Sequence, residues 1–128
     1  MAALPADPLF GGHLLEGQVH PGPASYDHTG RRFVFVPAAG DTGHYALDVE
    51  RRDVALDVQT VSMLAKIAPD ITPLQAWTQI EVLAKLLDTP AHLILRLGLR
   101  CDPRIEIGTP PSASHWISIG RIRDAADG

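Results

Sequence analysis

The chain has one cysteine, two lysines and seven aromatic residues among its 128, and each scarcity excludes something. With Cys101 alone, no internal disulfide forms, which fits a reducing compartment. The six histidines stand apart at positions 13, 20, 28, 44, 92 and 115. They form no His-x-x-x-His pair and have no cysteine cluster beside them, so no metal site is expected. There is no nucleophile elbow, Walker pattern or phosphate-cradling glycine loop, so neither a cofactor nor an enzyme is expected. Any active site would have to assemble from scattered residues. Seven aromatics are a thin supply for a long track of stacked bases. No apolar run approaches the ~20 residues of a membrane span. The opening Met-Ala-Ala-Leu-Pro-Ala-Asp-Pro lacks a basic segment ahead of a long apolar stretch, so no secretory signal is expected and the expected location is the cytoplasm. Positive charge is short too. A net charge of −4 counts against a polyanionic partner for the chain as a whole, although only local charge matters at a groove.

What is present is a chain that is 45% hydrophobic and 20% charged, enough apolar material for one domain with a core. Residues 1–12, rich in Pro and Gly, read as a flexible N-terminal arm, 13–123 as a single domain, and 124–128 as a short polar tail. In "HLLEGQVH" (13–20), Leu15, Gly17 and Val19 alternate with Glu16, Gln18 and His20, the period of a strand. "PGPASYDHTG" (21–30) is crowded with turn formers and reads as a loop. "RRFVFVP" (31–37) and "HYALDVE" (44–50) read as strands. "DVALDVQ" (53–59) alternates again, beyond a bend or short hairpin at Arg51-Arg52.

The period then changes. Val61, Leu64, Ala65 and Ala68 share a helical stripe that Pro69 ends. In 72–88, Thr72 caps, Pro73 takes the first helical position and Gln75 completes a capping box. Trp77, Ile80, Leu83, Ala84 and Leu87 line one side of that helix. Helices are expected only across about 60–88. Strands resume in "HLILRLGLR" (92–100), with Leu93, Leu95, Leu97 and Leu99 inward and Arg96 and Arg100 outward, then "RIEIG" (104–108) and "HWISIGRIR" (115–123).

Three strands, a helical insertion and further strands fit a small β-barrel of the OB arrangement (β-β-β-α-β-β) better than a meander sandwich or a doubly wound sheet. "LLEGQVHPGP" leading into "HTGRRFVFV", then "HYALDV", "LILRLGLR" and "HWISIGRI", resemble the single-stranded DNA-binding protein and primosomal protein N group of OB folds. The resemblance covers residues 13–123 as a pattern of elements. It departs from the group in a longer helical insertion and in a tail without an acidic, Phe-terminated tip. It implies non-catalytic binding of single-stranded nucleic acid, DNA favoured, in replication, repair or mobile-element maintenance.

Nine of the eleven basic residues are arginine, the planar, bidentate partner of phosphates. Arg31 and Arg32 stand at the mouth of strand 31–37. Phe33 and Phe35 share a face of that strand, either filling the core or stacking on bases, and the expectation is that at least one ring is accessible. Arg96 and Arg100 would contact phosphates beside it. Trp116 opposes Ile117 and Ile119, so one of those faces is exposed, and Arg121 and Arg123 would extend the basic stripe. A homo-oligomer is expected, because barrel edges favour pairing with another copy. The alternative function is a protein-interaction module that uses the same β surface.

Overall fold

The computed structural model describes residues 7–122. Strands β1 (His13–Glu16), β2 (Ala24–Tyr26) and β3 (Arg32–Val36) form one antiparallel sheet in the order β1-β3-β2. Strands β4 (His44–Arg51), β5 (Ile105–Gly108) and β6 (His115–Ile122) form a second, in the order β4-β6-β5. Between β4 and β5 run the helices α1 (Val58–Ile67), α2 (Pro73–Leu87) and α3 (Ala91–Arg96). The coarse expectation of strands around a helical insertion holds. The strands, however, make two three-stranded sheets.

The second sheet lies in the middle because both of its faces are covered. Leu47 and Val49 of β4 and Ile117 and Ile119 of β6 turn one way and pack against Phe33 and Phe35 of the first sheet. Leu9 and Phe10, in the turns before β1, close this core at its margin. The other face carries Ser118 and Gly120, and α2 crosses it. Thr78 and Ser118 join their hydroxyls at 2.7 Å, both fully buried. Gly120 is small for a steric reason: a Cβ there would fall 2.2 Å from Cγ1 of Val82 and 2.8 Å from Cδ1 of Leu86. Gly120→Ala should therefore push α2 off the sheet and cost ~1–3 kcal/mol, the usual range for overpacking. Denaturant titration with the wild type alongside checks it.

The two sheets meet at a seam between β2 and β4 that is held by a side chain. The Ser25 hydroxyl accepts from the backbone N–H of Val49 at 3.1 Å and points its own proton at Asp48 Oδ1 at 3.5 Å.

Local chemistry explains most element boundaries. Asp57 caps α1, its carboxylate accepting from Thr60 N at 2.8 Å and Thr60 Oγ1 at 2.7 Å. That cap corrects the alternating stretch 53–59, which is a turn and loop running into a helix and leaves Val58 exposed. Thr72 caps α2 with Pro73 at its first position, as expected. The strand read at 13–20 ends at Glu16, where Gly17 takes a positive φ of 145°. The loop read at 21–30 contains β2, a three-residue strand too short to show a period.

The largest correction is "HLILRLGLR". Leucines at every second position also place Leu at i and i+4, and Leu is a strong helix former. Pro90 precedes the first turn, and α3 ends in a Schellman motif: Leu99 N donates to Ile94 O at 3.2 Å and Gly98 N to Leu95 O at 3.1 Å. Gly98, at φ 70°, is the left-handed residue this cap requires. Ile94 and Leu95 are buried, while Leu93 and Leu97, expected inward, face solvent. Helices thus run on to Arg96, and β5 pairs with β6 in place of a strand over 92–100.

Candidate functional site

The residues expected to form a nucleic-acid face do not form one surface. Phe35 is fully buried and Phe33 nearly so, both in the core between the sheets, which corrects the expectation of an accessible ring. Val34 is fully buried as well, so β3 is covered on both faces. Arg31 forms a bidentate pair with Glu16, both contacts at 2.7 Å, and this partner holds the Glu16 carboxyl below its usual range. Arg32 donates to the carbonyls of Gly17 at 3.0 Å and His20 at 2.9 Å, fixing the loop after β1. Arg100 pairs with Asp70 at 2.8 Å, and Arg121 with Glu106 at 2.9 Å while lying over the ring of Phe10. Trp116 is half-buried beneath the Arg52 guanidinium, 3.9 Å from its ring centre. Arg123 lies outside the described residues.

Surface ion pairs of this kind add little stability, but they cancel field. Arg96 is the one arginine of the described residues that meets neither a carboxylate nor a carbonyl. Arg96 and Arg100 do not project from one strand face, since Arg96 closes α3 and Arg100 follows the turn at Gly98.

Arg96 lines a groove between α1 and α3 of about 520 Å³, together with Asp57, Gln59, Met63, His92 and Leu95. Asp57 brings negative charge to this groove and Arg96 positive. Of the five exposed large hydrophobic residues among the described residues, three stand on these two helices or at their ends: Val58 at 86% and Leu93 at 42% within them, and Leu97 at 69% at the C-cap of α3. Leu93 and Leu97 stand one turn apart and so share a face of the α3 terminus.

Two polar clusters lie inside the protein. In the first, the Asp27 carboxylate is fully covered and accepts from Thr29 N, Thr29 Oγ1, Arg31 N and His115 Nε2 at 2.9, 2.6, 3.1 and 3.0 Å. Burial alone would raise its pKa, but the hydrogen bonds from Thr29, His115 and Arg31 outweigh burial and hold it well below the carboxylate range. His115 is buried against the edge of Phe33, and its Nδ1 meets the hydroxyl of Ser114 at 2.7 Å. In the second, Asp48 lies between β4 and α2 with Lys85 Nζ 3.7 Å from Oδ1. Its Oδ2 is buried and has no hydrogen-bond partner among the described residues. Burial raises its pKa to about 7, against the opposing pull of Lys85.

Neither cluster was visible as a motif. The members of the first lie 88 residues apart, and nothing in "YDHTG" or "SASHW" sets them apart from ordinary turn sequence. Asp48 occupies an alternating strand position that reads as solvent-facing, and only the docking of α2 makes it interior. Among the described residues no three His, Cys, Asp or Glu side chains come together as metal ligands. No helix among them is long and apolar enough to cross a membrane.

In comparisons with known proteins the chain matches no family model, no curated protein and no solved structure, so none of them identifies the OB-fold group.

Proposed function

We propose that the domain is an interaction module and that the groove between α1 and α3 receives a segment of another polypeptide. The observation that carries this reading is a groove with Asp57 and Arg96 on its walls and Met63 and Leu95 in its lining, on two helical segments that also expose Val58, Leu93 and Leu97. Apolar side chains grouped on a surface and rimmed by charge mark protein-contact sites. The occupant this chemistry fits is an amphipathic segment with an apolar anchor for Met63 and Leu95 and a carboxylate for Arg96. This reading uses a helical surface where the expectation from the sequence used the β surface.

A random peptide library selected on the immobilised, folded domain tests it. Enriched peptides should share an apolar anchor flanked by an acidic residue, and should shift amide resonances across 58–67 and 91–97. Leu97→Asp should weaken them by ~10-fold or more, the effect of losing one anchoring contact. Absence of enrichment, or binding indifferent to that substitution, removes the reading. The homo-oligomer expected from the sequence through strand edges is a competing occupant if a second copy covers Leu93 and Leu97 instead. Light scattering of wild type and Leu97→Asp at matched concentration reports whether a second copy is the occupant.

An OB-like barrel that takes single-stranded nucleic acid ranks second. The order of elements, the β2–β4 seam that draws the sheets together and the open charge of Arg96 support it. Against it stands the pairing of Arg31, Arg100 and Arg121 with carboxylates, which leaves those charges without a continuous basic groove. A labelled oligo-dT titration at low salt should show no saturable binding. If binding appears and weakens steeply with salt, phosphate contacts carry it and this second reading takes first place.

A further inference from the structure

The buried Asp27–His115 pair ends at the surface on a hydroxyl, and this gives it chemistry beyond bracing. Asp27 is ionised and can only accept, so the proton between Asp27 Oδ2 and His115 Nε2, 3.0 Å apart, belongs to the imidazole. A neutral imidazole protonated at Nε2 leaves Nδ1 as an acceptor, and Ser114 Oγ sits 2.7 Å from it. Ser114 is exposed, whereas His115 and Asp27 are buried and held rigid. Nucleophile, base and orienting carboxylate thus stand in hydrogen-bonded series, the roles of a serine-hydrolase relay with the two ring nitrogens exchanged.

Two neighbouring features fit a substrate. Ser112 Oγ accepts from the backbone N–H of His115 at 3.2 Å and fixes the turn that presents Ser114. Arg52 donates its backbone N–H to Ser114 O at 3.0 Å and its guanidinium to Ser112 O at 2.5 Å. Arg52 also lines, with Trp116, Val54, Leu56 and Leu74, an apolar hollow of about 400 Å³. Ser114 is thus bonded through its carbonyl to Arg52, a cation that also lines a hollow whose apolar walls suit an aliphatic group.

We propose that Ser114 is a nucleophile toward esters with an apolar acyl group, with His115 as its base and Asp27 as the residue that positions His115. In the acylation step Ser114 Oγ bonds to the acyl carbon, its proton passes to His115 Nδ1, and the alcohol leaves with that proton as the ester C–O bond breaks. Water then attacks the acyl-serine, giving its proton to Nδ1, and the serine hydroxyl is restored as the carboxylic acid departs. This activity is separate from the α1–α3 groove and stands or falls apart from it.

The test is covalent labelling of the folded full chain with an alkyl fluorophosphonate, the modified residue located by peptide mass mapping. General-base assistance contributes ~10²–10⁴-fold, so Ser114 should label at least ~100-fold faster than Ser62, an exposed serine on α1 with no histidine beside it. Ser114→Ala, a change at an exposed position, should abolish the adduct and leave the circular dichroism spectrum unchanged. His115→Gln should slow labelling of whatever fraction stays folded. The proposal is overturned if the folded wild type takes no adduct at Ser114 after prolonged exposure. It is equally overturned if Ser114 and Ser62 label at similar rates.

Discussion

Asp27→Ala should destabilise the protein by ~3–5 kcal/mol, because it leaves the donors of Thr29, Arg31 and His115 without their acceptor at ~1–3 kcal/mol for each that stays buried. The residue holds three things together. It closes the turn 27–31 through Thr29 and Arg31, anchors His115 of the second sheet, and so ties the two sheets at the end opposite Phe10. Asp27→Asn keeps the shape but loses the charge and should cost less. The same two variants separate the pair's role at acid pH. A carboxylate held below its ordinary value of 3.8 contributes stability that is complete above about pH 4 and is lost as pH falls through the folded value. The wild type should weaken on acidification below pH 4, and Asp27→Asn should flatten that limb. Urea titrations at neutral and acid pH measure both. A cost under 1 kcal/mol at neutral pH for the alanine variant would show that the pair braces nothing.

How much of this could be read in the chain depends on whether the cause was local. The caps were readable, because Thr72 and Pro73 act within one turn and need no tertiary partner. The β3 and β4 alternations were readable for the same reason. Element identity failed where two periods fit the same letters. The leucines of 93–99 satisfy both a strand and a helix, and the choice falls to Pro90 and to Gly98 in a cap. The stretch 53–59 alternates like a strand, yet Asp57 is worth more as a helix cap than as a ladder position. The burial of Phe33 and Phe35 was left open by sequence, since every residue of a short strand has two faces to offer. It is decided by Ile117 and Ile119, more than 80 residues away.

The arginines teach a different lesson. Their number suggested a phosphate surface, but a guanidinium is attractive to a ligand only if nothing at home has claimed it. Glu16, Asp70 and Glu106 claim Arg31, Arg100 and Arg121, and each pairing spans at least 15 residues of sequence. Arg96, the exception, sits on a helical groove of mixed charge and apolar lining. That contrast moves the functional reading from the strands to the helices.

The second large effect is a gain. Asp48→Asn should stabilise the protein by ~2–4 kcal/mol above pH 8 and by less than half of that at pH 5, where the folded carboxyl is protonated and only the unfolded one has released its proton. The cause is position. Asp48 sits buried under α2, where Lys85 attracts it, Glu81 on the same helix and Glu50 on the same strand repel it, and Ser25 of β2 offers a hydroxyl at 3.5 Å. Its Oδ2 finds no donor among the described residues. The folded carboxyl therefore titrates at about 7 against an ordinary value of 3.8, so the folded state binds a proton that the unfolded chain has already released. Between those two values stability must fall as pH rises, and above about 7 the loss is complete. Asparagine keeps the volume and, through its carbonyl oxygen, the contact with Ser25, and it carries no charge to be desolvated. Lys85 retains its bond to the Leu47 carbonyl at 2.5 Å and stays partly in water, so removing its anion leaves no buried cation behind. The expected result is a wild type that loses stability from pH 5 to pH 8.5 and a variant whose denaturation midpoint is nearly level across that range. Equal pH dependence in the two proteins would place the carboxylate in contact with water and remove the argument.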